Sequence, residues 1–512
     1  MSTNRSRMTG LATAALVVTM ALAGCSGSDG DSDRGDMEYA PAPDGAVEPG
    51  PDGMDEPYPD PEAEWSAWTG LTDPARDALS TFALDIDTGS YTRFRDTVTS
   101  GWSVDPAEIR TEEFVNYFAQ DYPTPEHGLA VSLDATVLPF RPEHRLVRVG
   151  IASAPASGKA RADADLVLVV DCSGSMGEYG KMETTRAALR TLVSSLRSTD
   201  RVALVCYSTE AEVLLEPTPV SERDGILWAI DGLEPMASTN AAAGLALGYD
   251  LAMSMRDQAR TSRDEGRMTR VVLISDGVAN VGETDPEGIL ARISSQAQAG
   301  INLISVGVGI STYNDHLLEQ LADQGDGWHV YVDSQAEAER VFATGLTGSL
   351  VVAATDARAQ VEFDPVQVSG YRLLGYENRA IADEDFRNDA IDGGEVFAGH
   401  TTTALYEVAL REGRAAGPFV TATVRYLDDV GRAVERSGSL VATDCAESLH
   451  EASPRLRQDL VVALLTDHLV GGPWSDVVSP AVLNAEARAL PAALDGDPDV
   501  TQLVELVDLA TS

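Results

Sequence analysis

Residues 165–176 read Asp165-Leu166-Val167-Leu168-Val169-Val170-Asp171-Cys172-Ser173-Gly174-Ser175-Met176, an aliphatic run that ends in small, oxygen-bearing side chains. A run with no polar interruption suits a strand covered on both faces, because no position in it has to meet water. Leu189, Leu192, Val193 and Leu196 then recur at helical spacing. Further strand-like runs follow at 202–207, 271–274 and 303–308, with helical stretches such as 241–255 and 286–299 between them. This alternation predicts an α/β fold, a doubly wound, mostly parallel, Rossmann-like sheet with helices on both faces. Ligands of such sheets sit outside the carboxyl ends of the strands, where the strand order reverses.

Those ends carry a consistent set of oxygens. Asp171, Ser173 and Ser175 follow the first strand, Ser238-Thr239-Asn240 opens the helix at Ala241, and Ser275-Asp276-Gly277 closes the strand at Ile274. Small hard cations such as Mg²⁺ take oxygen ligands. Hydroxyls are neutral, so a site built from them leaves the ion electron-poor and able to accept a carboxylate from another protein. Gly174 permits the tight turn that brings two serines toward one point. Asp171 or Ser173 alone would read as a helix cap; three loops converging on one strand end favour a metal site.

The Asp-x-Ser-x-Ser motif, the later Thr239 and the still later Asp276 resemble the metal-ion-dependent adhesion site (MIDAS) of von Willebrand factor type A (VWA) domains, over about 165–348. The resemblance implies that Ser173 and Ser175 are direct ligands, that Thr239 is one in the ligand-engaged state, and that Asp171 and Asp276 act directly or through water. It implies Mg²⁺, with Mn²⁺ or Ca²⁺ as alternatives, and a protein partner presenting an acidic residue. In VWA domains of the integrin type, a change at the metal loops is coupled to a shift of the final helix, here about 336–346. Cys172 and Cys206 fall on neighbouring strands and are expected to act as small buried hydrophobes rather than as a disulfide.

The start of the chain reads as an address. Arg5 and Arg7 precede an apolar run from Leu11 to Ala23, and Leu22-Ala23-Gly24-Cys25 follows. This order is an export signal. The last four residues resemble the lipobox of bacterial lipoproteins, which implies cleavage before Cys25, lipidation of its thiol and a lipid anchor on the extracytoplasmic face of the cell membrane. Residues 25–75 are rich in Asp, Glu, Pro and Gly and too poor in aliphatic residues to fold. They read as a disordered tether, about 35–42 Å long on average if Gly-like and longer if stiffened by proline and charge.

The flanks of the VWA segment read as β-rich. Residues 131–137, 146–151, 360–363, 403–410 and 419–426 alternate or run apolar. The simplest packing is one β-module interrupted by the VWA domain. The segment 80–122, with Arg110-Thr111-Glu112-Glu113-Phe114-Val115-Asn116-Tyr117-Phe118, resembles the N-terminal module of a group of uncharacterised bacterial VWA lipoproteins. Residues 371–379 and 399–408 resemble that group's C-terminal domain. The expected organisation is a signal peptide (1–24), tether (25–75), N-terminal module (76–160), VWA domain (161–348), β-rich domain (349–450) and a helical C-terminal segment (451–512), helical at 456–469 and 500–509.

The 512-residue chain has a formal net charge of -44. That charge repels phosphates, so nucleic acid is not an expected partner, and no small-molecule cofactor is expected. The seven histidines form no zinc pattern. Asp87-Thr88-Gly89-Ser90 imitates an aspartic-protease loop, but no second Asp-Thr-Gly exists to complete a dyad. His400 reads as a hydrogen-bonded residue at a strand start. The expected function is metal-dependent binding of a protein, without catalysis. An envelope assembly factor with no adhesive role is the first alternative, and a hydrolase using Asp85, Asp87 or the metal is the second.

Overall fold

The computed structural model describes residues 70–155, 162–236, 238–261, 266–277, 300–309, 315–325, 327–345, 351–376, 379–388, 393–412, 416–428 and 430–512. The export signal, Cys25, most of the tether and the helix expected at 286–299 lie outside them.

The leading segment contains β1 (Leu79–Ala83), α1 (Gly89–Thr99), α2 (Thr111–Tyr117), β2 (Leu129–Leu138) and β3 (Arg141–Ser153). The middle contains β4 (Ala164–Asp171), α3 (Lys181–Ser195), β5 (Arg201–Tyr207), β6 (Ala211–Pro219), α4 (Arg223–Asp231), α5 (Ala241–Thr261), β7 (Met268–Ser275), β8 (Ile301–Gly307), α6 (Asp315–Gln324), β9 (Trp328–Tyr331) and α7 (Gln335–Ala338). The last segment contains β10 (Val352–Phe363), β11 (Val368–Leu374), β12 (Gly394–Phe397), β13 (Thr401–Leu410), β14 (Pro418–Leu427), β15 (Ala433–Val441), α8 (Pro454–Val470), α9 (Pro480–Ala493) and α10 (Pro498–Ala510). Among the described residues no helix is long and apolar enough to cross a membrane.

The middle segment builds a six-stranded sheet in the order β6-β5-β4-β7-β8-β9. All its pairings are parallel except that of β6 with β5. The aliphatic run of β4 divides between two cores. Leu166, Leu168 and Val170 pack with Leu189 and Leu192 of α3 and Ile226 of α4, whereas Val167 and Val169 pack with Leu245 and Tyr249 of α5. Every residue of β4 is buried, which is why the strand shows no alternation in sequence. The chain runs from β4 to β5 on one side and later to β7 on the other, so the strand order reverses at the carboxyl end of β4.

The flanks form two antiparallel sheets. One has the order β1-β10-β14-β15 with β12 beside β10, and the other has the order β11-β13-β3-β2. They share one apolar core, in which Phe82, Val147, Val361, Tyr406 and Val424 meet. Strands from before and after the VWA segment pair directly, β1 with β10 and β3 with β13. Helices α8–α10 pack their apolar faces with α1 and α2 in a further core around Trp474.

The Cys172–Cys206 pairing and the extent of the final helix are corrected, and other residues singled out in the sequence can be placed. Cys172 and Cys206 form a disulfide, with their Cα atoms 5.9 Å apart. The Cys172 amide donates to Tyr207 O at 2.8 Å, which draws the end of β4 toward β5, and both cysteines face the same core. The final VWA helix is shorter than expected in α form. It is α-helical over Gln335–Ala338 and continues as a π-helix over Glu339–Gly345, while Leu346 is outside the described residues. Asp85 and Asp87 lie among charged and backbone partners. Arg379 reaches Asp85 at 3.4 Å and Asp87 at 3.2 Å, and Asp87 also accepts the His329 amide at 2.9 Å. His400 directly precedes β13; its carbonyl accepts the Ser153 amide, and its ring lies against Phe397.

Glu407, fully buried on β13, ties the second flanking sheet to the C-terminal helices. One carboxylate oxygen is 2.8 Å from Arg141 Nη1 and 2.6 Å from His144 Nδ1; the other accepts from Arg372 at 2.9 Å and Trp474 Nε1 at 2.8 Å. Burial pushes this carboxyl up, but the His144 hydrogen bond and the Arg372 and Arg141 charges outweigh it and hold it at about 2, below its ordinary 4.5. A carboxyl depressed on folding stabilises the protein above its unfolded value, and that contribution is lost as pH falls toward the folded value. The depression corresponds to about 3 kcal/mol. Glu407→Gln should lower stability by roughly that amount at pH 7, with the difference from wild type shrinking between pH 4.5 and 2. Urea unfolding of both proteins across that range checks this, and a difference independent of pH would contradict it.

Candidate metal centre

The first carboxylate arrives at the end of β4. Asp171 is fully buried, and its oxygens are held on three sides. Oδ1 accepts the Ser173 amide at 2.8 Å; Oδ2 accepts Ser275 Oγ at 2.9 Å and Tyr207 OH at 3.1 Å. The ends of β4, β5 and β7 therefore converge on one carboxylate. The turn after Asp171 enters a short 3₁₀ segment, Gly174–Gly177, and places Ser173 Oγ 2.9 Å from Ser175 Oγ. Neither Ser173 nor Asp171 caps α3, whose N-cap is Gly180.

Thr239 lies in a loop stapled over the same strand ends. The Met236 amide donates to Cys172 O at 2.6 Å and the Asn240 amide to Ser208 O at 2.7 Å, leaving Thr239 between them only 1% exposed. Asn240 Oδ1 accepts the Ala243 amide and so fixes where α5 begins. The helix then crosses the sheet closely, because Gly244 lies where a Cβ would come within 2.5 Å of the Tyr207 ring. Asp276, directly after β7, is also fully buried. It accepts from Lys181 Nζ at 2.9 Å.

All five residues expected to act together thus lie at the end of β4 or in the loops gathered at the carboxyl ends of β4, β5 and β7. Sequence reasoning did not pick out three neighbours, Lys181, Tyr207 and the hydroxyl of Ser275. Tyr207 is the last residue of a strand, where a polar atom faces the ligand edge. Lys181 opens a helix, a position unfavourable to a cation, and that misplacement was the signal in the sequence.

The donor chemistry fits a hard divalent cation. Two buried carboxylates and three hydroxyls supply only oxygen, and the nearby sulfur of Cys172 is committed to its disulfide. Among the described residues no group of three or more His, Cys, Asp or Glu is placed to hold a metal, so hydroxyls have to complete any site here. The electrostatics agree. Burial pushes the Asp171 carboxyl from 3.8 up to about 6; hydrogen bonds from the Ser173 amide and hydroxyl pull it back, the Asp276 charge adds to the rise, and the Ser275 hydroxyl opposes it. Asp171 is thus a buried carboxylate short of positive charge.

A family model described as von Willebrand factor type A domain matches residues 165–344, the segment that contains all of these loops. A model described as the C-terminal part of uncharacterized protein YfbK matches residues 348–511, and one described as von Willebrand factor matches residues 65–148. The uncharacterized protein YfbK of Escherichia coli (strain K12) is 34% identical over 351 residues, 67% of this chain and 60% of that protein. Inter-alpha-trypsin inhibitor heavy chain H3 of Homo sapiens is 28% identical over 181 residues, 34% of this chain and 20% of that protein. The chain therefore spans less than two thirds of the length of either relative. A solved structure, the von Willebrand factor type A from Catenulispora acidiphila, aligns with a TM-score of 0.43 and 15% identity, over 76% of this chain and 91% of that one. Residues 165–344 thus match a VWA domain, and the segment that follows it, residues 348–511, matches the C-terminal part of YfbK.

Proposed function

We propose that the protein is a lipid-anchored binding protein on the extracytoplasmic face of the cell membrane, which engages an acidic residue of a protein partner through a divalent cation. The observation that carries this reading is the convergence of Asp171, Ser173, Ser175, Thr239 and Asp276 on one edge of the VWA sheet, with oxygen as the only donor element. These residues would hold Mg²⁺, or Mn²⁺ or Ca²⁺ in its place. When bound, the cation supplies an electrophilic position that an external carboxylate can fill. Ser173 and Ser175 contribute neutral oxygens and leave that position attractive to an anion. Asp171 is oriented by Ser173, Ser275 and Tyr207 and contributes charge without being free to turn.

The reading includes no catalytic role. Ser173 and Ser175 are neighboured by each other and Ser275 donates to the Asp171 carboxylate. The carboxylates of the Asp85–Asp87 loop are engaged with Arg379 and the His329 amide. An alternating basic, apolar and Leu-Ala-Gly-Cys order at the start of the chain supports export and lipidation of Cys25, and the tether supports display away from the membrane surface.

The test of the site is a thermal unfolding series with added MgCl₂ or MnCl₂. A ligand bound only by the folded state adds about 2.7 kcal/mol at a hundred times its dissociation constant. The melting temperature should therefore rise with metal in the wild type, and Asp171→Ala should abolish the rise. An equal rise in the variant would move the metal elsewhere. Pull-down from native membranes should retain a partner in Mg²⁺ and release it in EDTA; retention in EDTA would remove the metal bridge from the reading.

The anchor is tested separately. Cys25→Ser should leave an uncleaved precursor or release the protein from the membrane fraction. Mass spectrometry of the mature wild-type protein should show a diacylglyceryl-modified amino-terminal cysteine. An unmodified, soluble mature protein would remove the anchor while leaving the metal site standing.

A further inference from the structure

Lys181 lies where the fold alone has no use for it. It is the first residue of α3, directly after Gly180 in the left-handed conformation (φ 77°), so its positive charge meets the positive end of the helix dipole. It is also 2% exposed, which strips its ammonium of water. The contact of Nζ with Asp276 Oδ2 at 2.9 Å offsets these two unfavourable terms. The side chains of Lys181 and Asp276 are 1% and 0% exposed, so solvent barely screens this ion pair.

The lysine stem is steered to that carboxylate. Gly309, just beyond β8 with φ 83°, leaves a gap through which the stem passes; a Cβ there would sit 2.3 Å from Lys181 Cε and 2.6 Å from Cδ. The Val308 amide donates to Ser275 O at 3.0 Å, which fixes Gly309 beside the end of β7 and hence beside Asp276. The ammonium is held in place from two sides, by the start of α3 and by the end of β8.

We propose that Lys181 is a built-in cation that sets the divalent-metal affinity of this site by sharing Asp276 with the ion. The inference rests on the metal-site reading above. Asp171, Asp276 and Lys181 together carry a net charge of minus one before any ion enters, whereas the two carboxylates by themselves would carry minus two. A divalent ion then leaves it positive overall, and an incoming carboxylate restores neutrality. Lys181 therefore weakens the grip on the bare ion and strengthens the attraction of the loaded site for an anionic partner. Metal and acidic ligand become mutually dependent, since any gain one gives the other is returned in equal measure. A site with both carboxylates uncompensated would hold its ion firmly with no partner present and would have less to gain from one.

The experiment titrates MnCl₂ alone into the full mature chain, read by calorimetry and by electron paramagnetic resonance of free Mn²⁺. The proteins compared are wild type, Lys181→Met, Asp276→Asn and the Lys181→Met/Asp276→Asn pair. Lys181→Met keeps the length and packing of the stem and removes the charge. Its Mn²⁺ affinity should rise about tenfold or more, as expected for removing a unit charge close to the ion at an effective dielectric near 20. Asp276→Asn should cost more affinity in the Lys181→Met background than in the wild type, because there the Lys181 charge no longer offsets the carboxylate. If Lys181→Met does not fold, Lys181→Gln and the double variant, which removes both partners of the buried pair, carry the same comparison. Wild-type binding with unchanged or weaker affinity in the folded Lys181 variants would overturn the proposal and leave the metal site intact. Absence of Mn²⁺ binding to every folded protein, wild type included, would overturn the metal site and this inference with it.

Discussion

The pairing of β3 with β13 is the constraint on which the architecture depends. Residues 144–152 of the leading segment lie in register against residues 401–409, antiparallel, in the middle of a sheet. The chain between them has to leave the sheet and return to it. A VWA domain is suited to occupy that excursion, because its first strand and its final helix both connect to the flanking strands. The thermodynamic penalty for so long an excursion is small, since loop-closure entropy grows only with the logarithm of length. What holds the junction is the burial of β3 from Arg145 onward, together with the Glu407 cluster on its partner strand. The flanking body is thus a frame closed only when both halves are present, and the parallel sheet is mounted on it.

Within the mounted domain, the position of the site follows from strand order. β4 is central, and its neighbours are reached in opposite directions along the chain, so a crevice opens at its carboxyl end. Asp171 stands there, and the hydrogen bonds from Tyr207 and Ser275 come from the two neighbouring strands. The disulfide and the Cys172 amide bond pull the β4 and β5 ends together behind it. The strand ends therefore fix the Asp171 carboxylate, while the hydroxyls of Ser173, Ser175 and Thr239 are carried on the intervening loops.

The parallel sheet was legible because burial on both faces leaves an unmistakable apolar run in β4, β5, β7 and β8. The candidate site residues could be grouped from the sequence because they sit at fixed offsets from those runs. Elements whose stability comes from partners rather than from their own pattern were not. β6 is half-buried, contains two prolines and pairs antiparallel at the sheet edge, so its sequence shows neither run nor alternation. β9 has four residues, too few for any period to register. Helix α9 carries Pro491 in its interior, which reads as a break, yet the helix continues through it. The disulfide and the Lys181–Asp276 pair join elements distant in the chain, and nothing local encodes which residues meet.

The same frame bears on whether events at the metal loops can reach the flanking body. In integrin-type domains that route is the final helix, and here the start of that helix is clamped. Arg95 of α1 donates to both oxygens of Asp333, at 2.6 and 2.8 Å, and to Glu337 Oε2 at 2.8 Å, with all three side chains nearly buried. Thr92 Oγ1 of the same helix donates to Tyr331 O at 3.0 Å, and Tyr331 OH donates to Asp96 at 2.8 Å. Sliding α7 would strip partners from buried charges, and breaking one such pair costs about 3–5 kcal/mol. The clamp therefore opposes displacement of the start of this helix. Beyond Ala338 the helix widens into π form over Glu339–Gly345. The final helix thus has a start held by buried ion pairs and hydrogen bonds and a continuation in π form, a geometry found frequently at functional sites.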